Sequence, residues 1–197
     1  IAAASQDYFA IILSGLVIIS VESISMSVGS YLSSKSARGI EERMLTEEKT
    51  ELKEFPEDEK KELIDMYVED GWTPALSISM AEEASKNKKL FLQEMAYREL
   101  GIIPSKLENP LKNGTVMLFS YMFGGGIPLV AYFILPIRAA MPISIVVTLS
   151  ALFLLGVYAA KFSKRKWWKA GSEMLLLASI AAGIGYAVGQ LVEHLLV

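Results

Sequence analysis

Apolar and polar positions are divided along this chain by stretch rather than by face. Four runs are almost continuously apolar: Tyr8 to Leu32, Gly114 to Leu135, Ile143 to Phe162 and Ala170 to Val192. A helix rises about 1.5 Å per residue and needs about 20 apolar residues to cross roughly 30 Å of hydrocarbon, so each run predicts a membrane-spanning helix. Pro136 and Pro142 are expected to bracket a tight connection between the second and third spans. Trp167 and Trp168 stand at the head of the fourth, where amphipathic rings favour the headgroup layer. Gly124, Gly125, Gly126 and Pro128 are expected to kink or loosen the second span, and Gly183, Gly185 and Gly189 to give the fourth a face open to close helix approach.

Between the first two runs the pattern becomes amphipathic and helical. One helix is expected to continue out of the first span from about Ser36 to Glu54 and stop at Pro56. A second follows from about Glu57 to Glu69 and ends at Asp70-Gly71. Thr73 and Pro74 read as an N-cap with proline in the first turn. One or two more helices reach Leu100 and end at Gly101, with Leu63, Ile64, Met66, Tyr67, Val68, Leu90, Phe91, Met95 and Leu100 as core candidates. The expected architecture is all-α: a polytopic membrane protein with one span in residues 1–35, a helical insert in 36–112 and three spans in 113–197.

Charge sharpens this division. Lys35 to Lys112 carries 18 acidic and 13 basic residues, a balance of −5, while the rest of the chain has four acids and six bases. Lys161, Lys164, Arg165, Lys166 and Lys169 crowd the loop between spans three and four, against only Arg138 in the preceding loop. The positive-inside rule therefore puts the five-cation loop in the cytosol, and the acidic insert with it. The first residue, Ile1, already lies in an apolar stretch, so one further upstream span is expected. The absence of cysteine excludes disulfides, thiolate zinc sites and iron–sulfur clusters. There is no basic stripe interleaved with aromatics for nucleic acid, nor any nucleophile–base set or cofactor loop for an enzyme.

The candidate chemistry lies in carboxylates. Glu48 and Glu51 share a helix face, Glu59 and Glu62 repeat the spacing on the next helix, and Met95 and Glu99 share a face on the last. Antiparallel helices joined at Pro56 would bring the first two pairs together. Carboxylates with a thioether suit a divalent transition metal, and the lack of histidine in the insert favours an oxygen-rich site over zinc. The same pattern is compatible with a solvated acidic face that merely keeps the insert soluble. Within the first span, Glu22 lies one turn before Met26. An acid at bilayer depth is costly, hence a functional candidate or a partner for a polar group such as Glu173. Glu173 itself is expected to pair with Lys169, and His194 to be an interfacial polar residue.

The series Ser25-Met26-Ser27-Val28-Gly29-Ser30-Tyr31, Glu47-Glu48-Lys49-Thr50-Glu51-Leu52, Pro56-Glu57, Glu62-Leu63, Tyr67-Val68-Glu69-Asp70-Gly71 and Arg98-Glu99-Leu100-Gly101-Ile102, with Gly171-Ser172-Glu173-Met174-Leu175 later, resembles the vacuolar iron transporter family. The resemblance implies five spans, a homodimer in the lipid bilayer, and proton-coupled export of cytosolic Fe2+ across a vacuolar or cell membrane, with Mn2+ or Zn2+ as further ions for the same site. It implies metal ligation by Glu48, Glu51, Glu59, Glu62, Met95 and Glu99, and a membrane pathway past Met26, to which Glu22 is the adjacent acid. Two features depart from the family pattern: the pathway aspartate belongs to a span upstream of this sequence, and Ser30 stands where the family usually has glutamate. The alternative is a membrane-anchored metal-binding or sensing protein that conducts nothing.

Overall fold

A computed structural model describes residues 8–196, and every regular element among them is helical. Helix α1 runs unbroken from Tyr8 to Glu54, followed by α2 (Pro56–Glu69), α3 (Pro74–Ser85), α4 (Lys88–Arg98), a 3-10 turn at Pro104–Lys106, α5 (Pro110–Ile134), α6 (Ile137–Ser163) and α7 (Trp167–Leu196). Four of these helices, α1, α5, α6 and α7, are long and apolar enough to cross a membrane. Large apolar side chains such as Phe123, Ile134, Leu154 and Ile184 stand exposed on them. A helix apolar all round is stable only against other protein or lipid. The side chains of Gly189 and of residues 191 to 197, His194 among them, lie outside the described residues.

The chain divides into two compact units, one of residues 24–118 and one of residues up to 23 with 119 onward. In the first, α2, α3 and α4 pack around Leu63, Tyr67, Ala81, Ala84, Phe91 and Met95, with Leu52 of α1 against the same cluster. The punctuation explains the packing. Pro56 supplies a first-turn residue that needs no amide donor, and Gly71 at φ 98° takes the left-handed conformation that ends α2. Thr73 occupies the expected cap position, but its side chain accepts no cap hydrogen bond. Helix α4 is capped by Asn87, whose side chain accepts from the amides of Lys89 and Leu90 at 3.0 and 3.3 Å. Helix α4 stops at Arg98, two residues before Leu100, leaving Glu99 as its C-cap. The Ser27 hydroxyl donates to the Gly114 carbonyl at 2.8 Å, and Asn113 Nδ2 to Ser34 Oγ at 2.8 Å, tying α1 to the start of α5.

In the other unit α6 and α7 form a long hairpin that turns at Lys164, a C-cap with φ 52°. Gly156 lets the two helices touch: a Cβ there would lie 2.6 Å from the Ala170 carbonyl oxygen. Two expectations need correction. Pro142 does not bracket the turn but lies inside α6, and the connection from α5 consists of Leu135 and Pro136 alone. Glu173 pairs with Arg165 at 2.7 Å rather than with Lys169, because α7 begins at Trp167 and the Arg165 side chain spans the turn. Helix α5 stays helical past Pro128, and the Ser144 hydroxyl donates to the Pro128 carbonyl at 2.8 Å. Gly183 and Gly185 have open space around them.

Replacing Gly156 with alanine should destabilise the α6–α7 hairpin by about 1–3 kcal/mol, since backbone must move to admit the methyl. Gly39→Ala, where nothing lies within 4 Å, should instead stabilise by about 0.5–1 kcal/mol. Thermal unfolding of both variants in detergent checks the opposite signs.

Candidate metal centre

The sequence places Glu48 near the end of α1, Glu59 early in α2 and Glu99 at the C-cap of α4. The fold brings these three together: one carboxylate oxygen from each lies within 4.8 Å of the others. Glu48 is the deepest, 2% exposed, with Glu59 half-buried and Glu99 at the surface. Glu51 and Glu62 are exposed, and their charges act on Glu59, so they border the same cluster. Met95 is fully buried, one turn before Glu99, in the apolar core beside Leu63 and Tyr67.

Burial and like charge act in one direction here. Burial first, and then the contact with Glu99, push the Glu48 carboxyl up to about 8, with the charges of Glu59 and Glu51 adding to it. Glu59 and Glu62 are also held above the ordinary carboxylate range, chiefly by burial and then by the surrounding acids. With every group ionised, Glu48 Oε1 is buried without a hydrogen-bond partner. An unsatisfied buried carboxylate oxygen is costly. A proton shared between Glu48 and Glu99 relieves this, and so does a cation. A proton and a cation would compete there for the same lone pairs.

A neighbouring network fixes the last helix. The Tyr67 hydroxyl donates to Glu94 at 3.0 Å, and the Arg98 guanidinium lies 4.5 Å from the Tyr67 ring centre while donating to Asp70 at 2.8 Å and facing Glu94 at 3.4 Å. Glu94 is thereby engaged by a cation and a hydroxyl, while Glu99, the next acid on α4, faces other carboxylates. Sequence reasoning put Tyr67 in the core and missed this clamp. Its only local trace is the i,i+4 spacing of Glu94 and Arg98.

Of the two pathway candidates, Glu22 lines a cavity of about 530 Å³ together with Gly15, Ile19, Ser120, Tyr121 and Gly124. Met26, a turn further along α1, is 41% exposed.

The family profile described as VIT family matches residues 1–190. This chain belongs to the VIT family. Among its VIT-family relatives, a protein of Toxoplasma gondii named "Vacuolar iron transporter" is 32% identical over 193 residues, covering 93% of this chain and 64% of the relative. "Vacuolar iron transporter 1" of Arabidopsis thaliana is 27% identical over 185 residues, covering 93% and 74%. "Vacuolar iron transporter" of Plasmodium falciparum is 28% identical over 197 residues, covering 93% and 71%. The chain thus spans about two thirds to three quarters of the length of these VIT-family proteins.

Two outcomes follow from the geometry. Because the Glu48 carboxyl is raised on folding, its contribution to stability is full below the unfolded value near ~4.3 and is lost as pH rises through about 8. Glu48→Gln, which carries no charge, should flatten that loss and leave the variant about 1–3 kcal/mol more stable than wild type at pH 9 without metal, as read by thermal melts at pH 5, 7 and 9. Tyr67→Phe removes the hydroxyl bond to Glu94 and should lower stability by about 1 kcal/mol at every pH, so the same melts separate the two effects.

Proposed function

We propose that this chain exports ferrous iron from the cytosol across a membrane in exchange for protons, with the acidic insert as the capture site. Support for the metal comes from the chemistry of the cluster and from the relatives, which carry iron transport in their names. The observation that carries the reading is the buried, unpartnered oxygen of Glu48 at the meeting point of three carboxylates. An oxygen-rich, histidine-free set suits Fe2+ first and Mn2+ second.

The steps follow from the groups themselves. At neutral pH the Glu48 carboxyl, pushed up to about 8, mostly holds its proton. An arriving divalent ion displaces it, and the neighbouring Glu59 and Glu99 share the charge. Glu51 and Glu62 add negative potential at the mouth, which concentrates cations and steers them inward. Met95, adjoining from the core, is the soft donor that would favour a transition metal over Mg2+ or Ca2+. Beyond the insert the ion passes along α1, where Met26 offers a thioether and Glu22 a carboxylate at membrane depth. Acid on the far side favours release, since protonated carboxylates bind metal poorly. The positive-inside pattern supports a cytosolic insert, and in this reading a homodimer supplies the second wall of the pathway.

The alternative, an anchored metal-binding protein that conducts nothing, shares the insert chemistry and differs only in the membrane. In liposomes, Fe2+ or Mn2+ should drive proton flux through the wild-type chain. Glu48→Gln should weaken metal binding at least about tenfold, whereas Glu22→Gln and Met26→Leu should cut flux and leave binding intact. Binding without flux in the wild type favours the anchored protein. Failure of Glu48→Gln to alter binding removes the capture site.

A further inference from the structure

On the insert, away from the carboxylate cluster, a cavity of about 550 Å³ opens between the end of α1 and the first turns of α4. Its floor is apolar: Leu52 and Pro56 on one side, Phe91 and Leu92 on the other. Its rim carries four lysines, Lys49 and Lys53 from α1 and Lys88 and Lys89 from α4. Among the described residues none of the four has a carboxylate within ion-pair distance, although the insert holds 18 acids and pairs other cations, such as Lys60, Lys61, Lys86 and Arg98. Four like charges around one hollow repel one another, and no carboxylate at ion-pair distance neutralises any of them. The α4 amides are not the attraction, because the Asn87 side chain already accepts from those of Lys89 and Leu90.

From this arrangement we infer that the cavity is a binding site for a soluble organic polyanion with an apolar body, of the nucleoside phosphate class. Charge complementarity fixes the sign of the ligand, and the apolar floor requires a body beyond bare phosphate. The volume lies within the roughly 300–1,000 Å³ of small-molecule sites. A lipid headgroup fits less well. Lys49 lies 14 residues beyond Lys35, about 21 Å further along the helix than the cation that marks the membrane exit. The ligand therefore arrives from water, its phosphates held among Lys49, Lys53, Lys88 and Lys89 and its body resting on Leu52, Phe91 and Leu92. The site draws on α1 and α4, the two helices that also carry Glu48 and Glu99, but its existence does not depend on metal binding.

Equilibrium dialysis of the full chain in metal-free buffer, with ATP, pyrophosphate and dodecyl phosphate as probes, tests the assignment. ATP should bind saturably and about tenfold more tightly than pyrophosphate, the difference reporting the apolar floor. Lys53→Glu with Lys88→Glu should weaken ATP about tenfold or more, and Lys53→Gln with Lys88→Gln by a smaller factor. All four lysines are exposed, so the Gln pair keeps the test open should charge reversal prevent folding. Equal binding of ATP and pyrophosphate, ATP binding unchanged in both variants, no binding of either probe, or dodecyl phosphate displacing ATP would each overturn the inference.

Discussion

The insert is organised around a contradiction that a soluble domain would ordinarily avoid: a carboxyl group buried among other carboxyl groups. Glu48 is 2% exposed, touches Glu99, and lies within reach of Glu59. Without a proton or a cation in the cluster, that arrangement opposes folding through desolvation and repulsion together. The surrounding structure has to hold it in place. Leu63, Tyr67 and Met95 belong to the apolar core that packs the insert helices together, and the Arg98 clamp on Tyr67, Glu94 and Asp70 fixes the end of α4 next to Glu99. The cost of that burial is offset by packing elsewhere in the insert.

The membrane part answers a different solvent. Its long helices leave large apolar side chains exposed, and α6 meets α7 through close approach at Gly156 and Gly171 together with the Phe153–Trp167 ring pair. Close backbone approach at Gly156 is what a bilayer asks for, because burying leucine against leucine gains little when lipid is already apolar. Hydroxyls are handled in the same spirit. Ser14, Ser20 and Ser23 return their donors to carbonyls one turn back, so α1 carries polar residues at little cost. Glu22 has no such internal remedy within its helix, which is why it remains a functional candidate.

Much of this was readable from residue order. Proline and glycine punctuation at Pro56, Gly71 and Pro74 located the end of α1, both ends of α2 and the start of α3 to within a residue or two, because these residues act through local backbone geometry. It left the break between α3 and α4 at Lys86-Asn87 open. The i,i+3 spacing put Glu48 with Glu51 and Glu59 with Glu62, yet it could not say that Glu48 alone would be buried. Depth is decided by how α4 returns, and Glu99 arrives from some fifty residues away. Pro142 looked like a turn residue because proline often ends helices; in the fold it is carried inside α6. The Glu173 partner depends on how the chain turns at Lys164, where a left-handed residue redirects the backbone and Arg165 reaches Glu173 ahead of Lys169. The Arg98 clamp joins α2 to α4 across nearly thirty residues, a distance over which local spacing carries no information.

The central claim is that a divalent ion enters the insert by displacing the proton held at Glu48. Calorimetric titration of the chain with Mn2+ in buffers of different ionisation enthalpy counts the protons released on binding. About one proton per ion is expected at pH 7, falling toward none above roughly pH 9, where Glu48 is already ionised. Binding at pH 7 with no proton released would contradict the account.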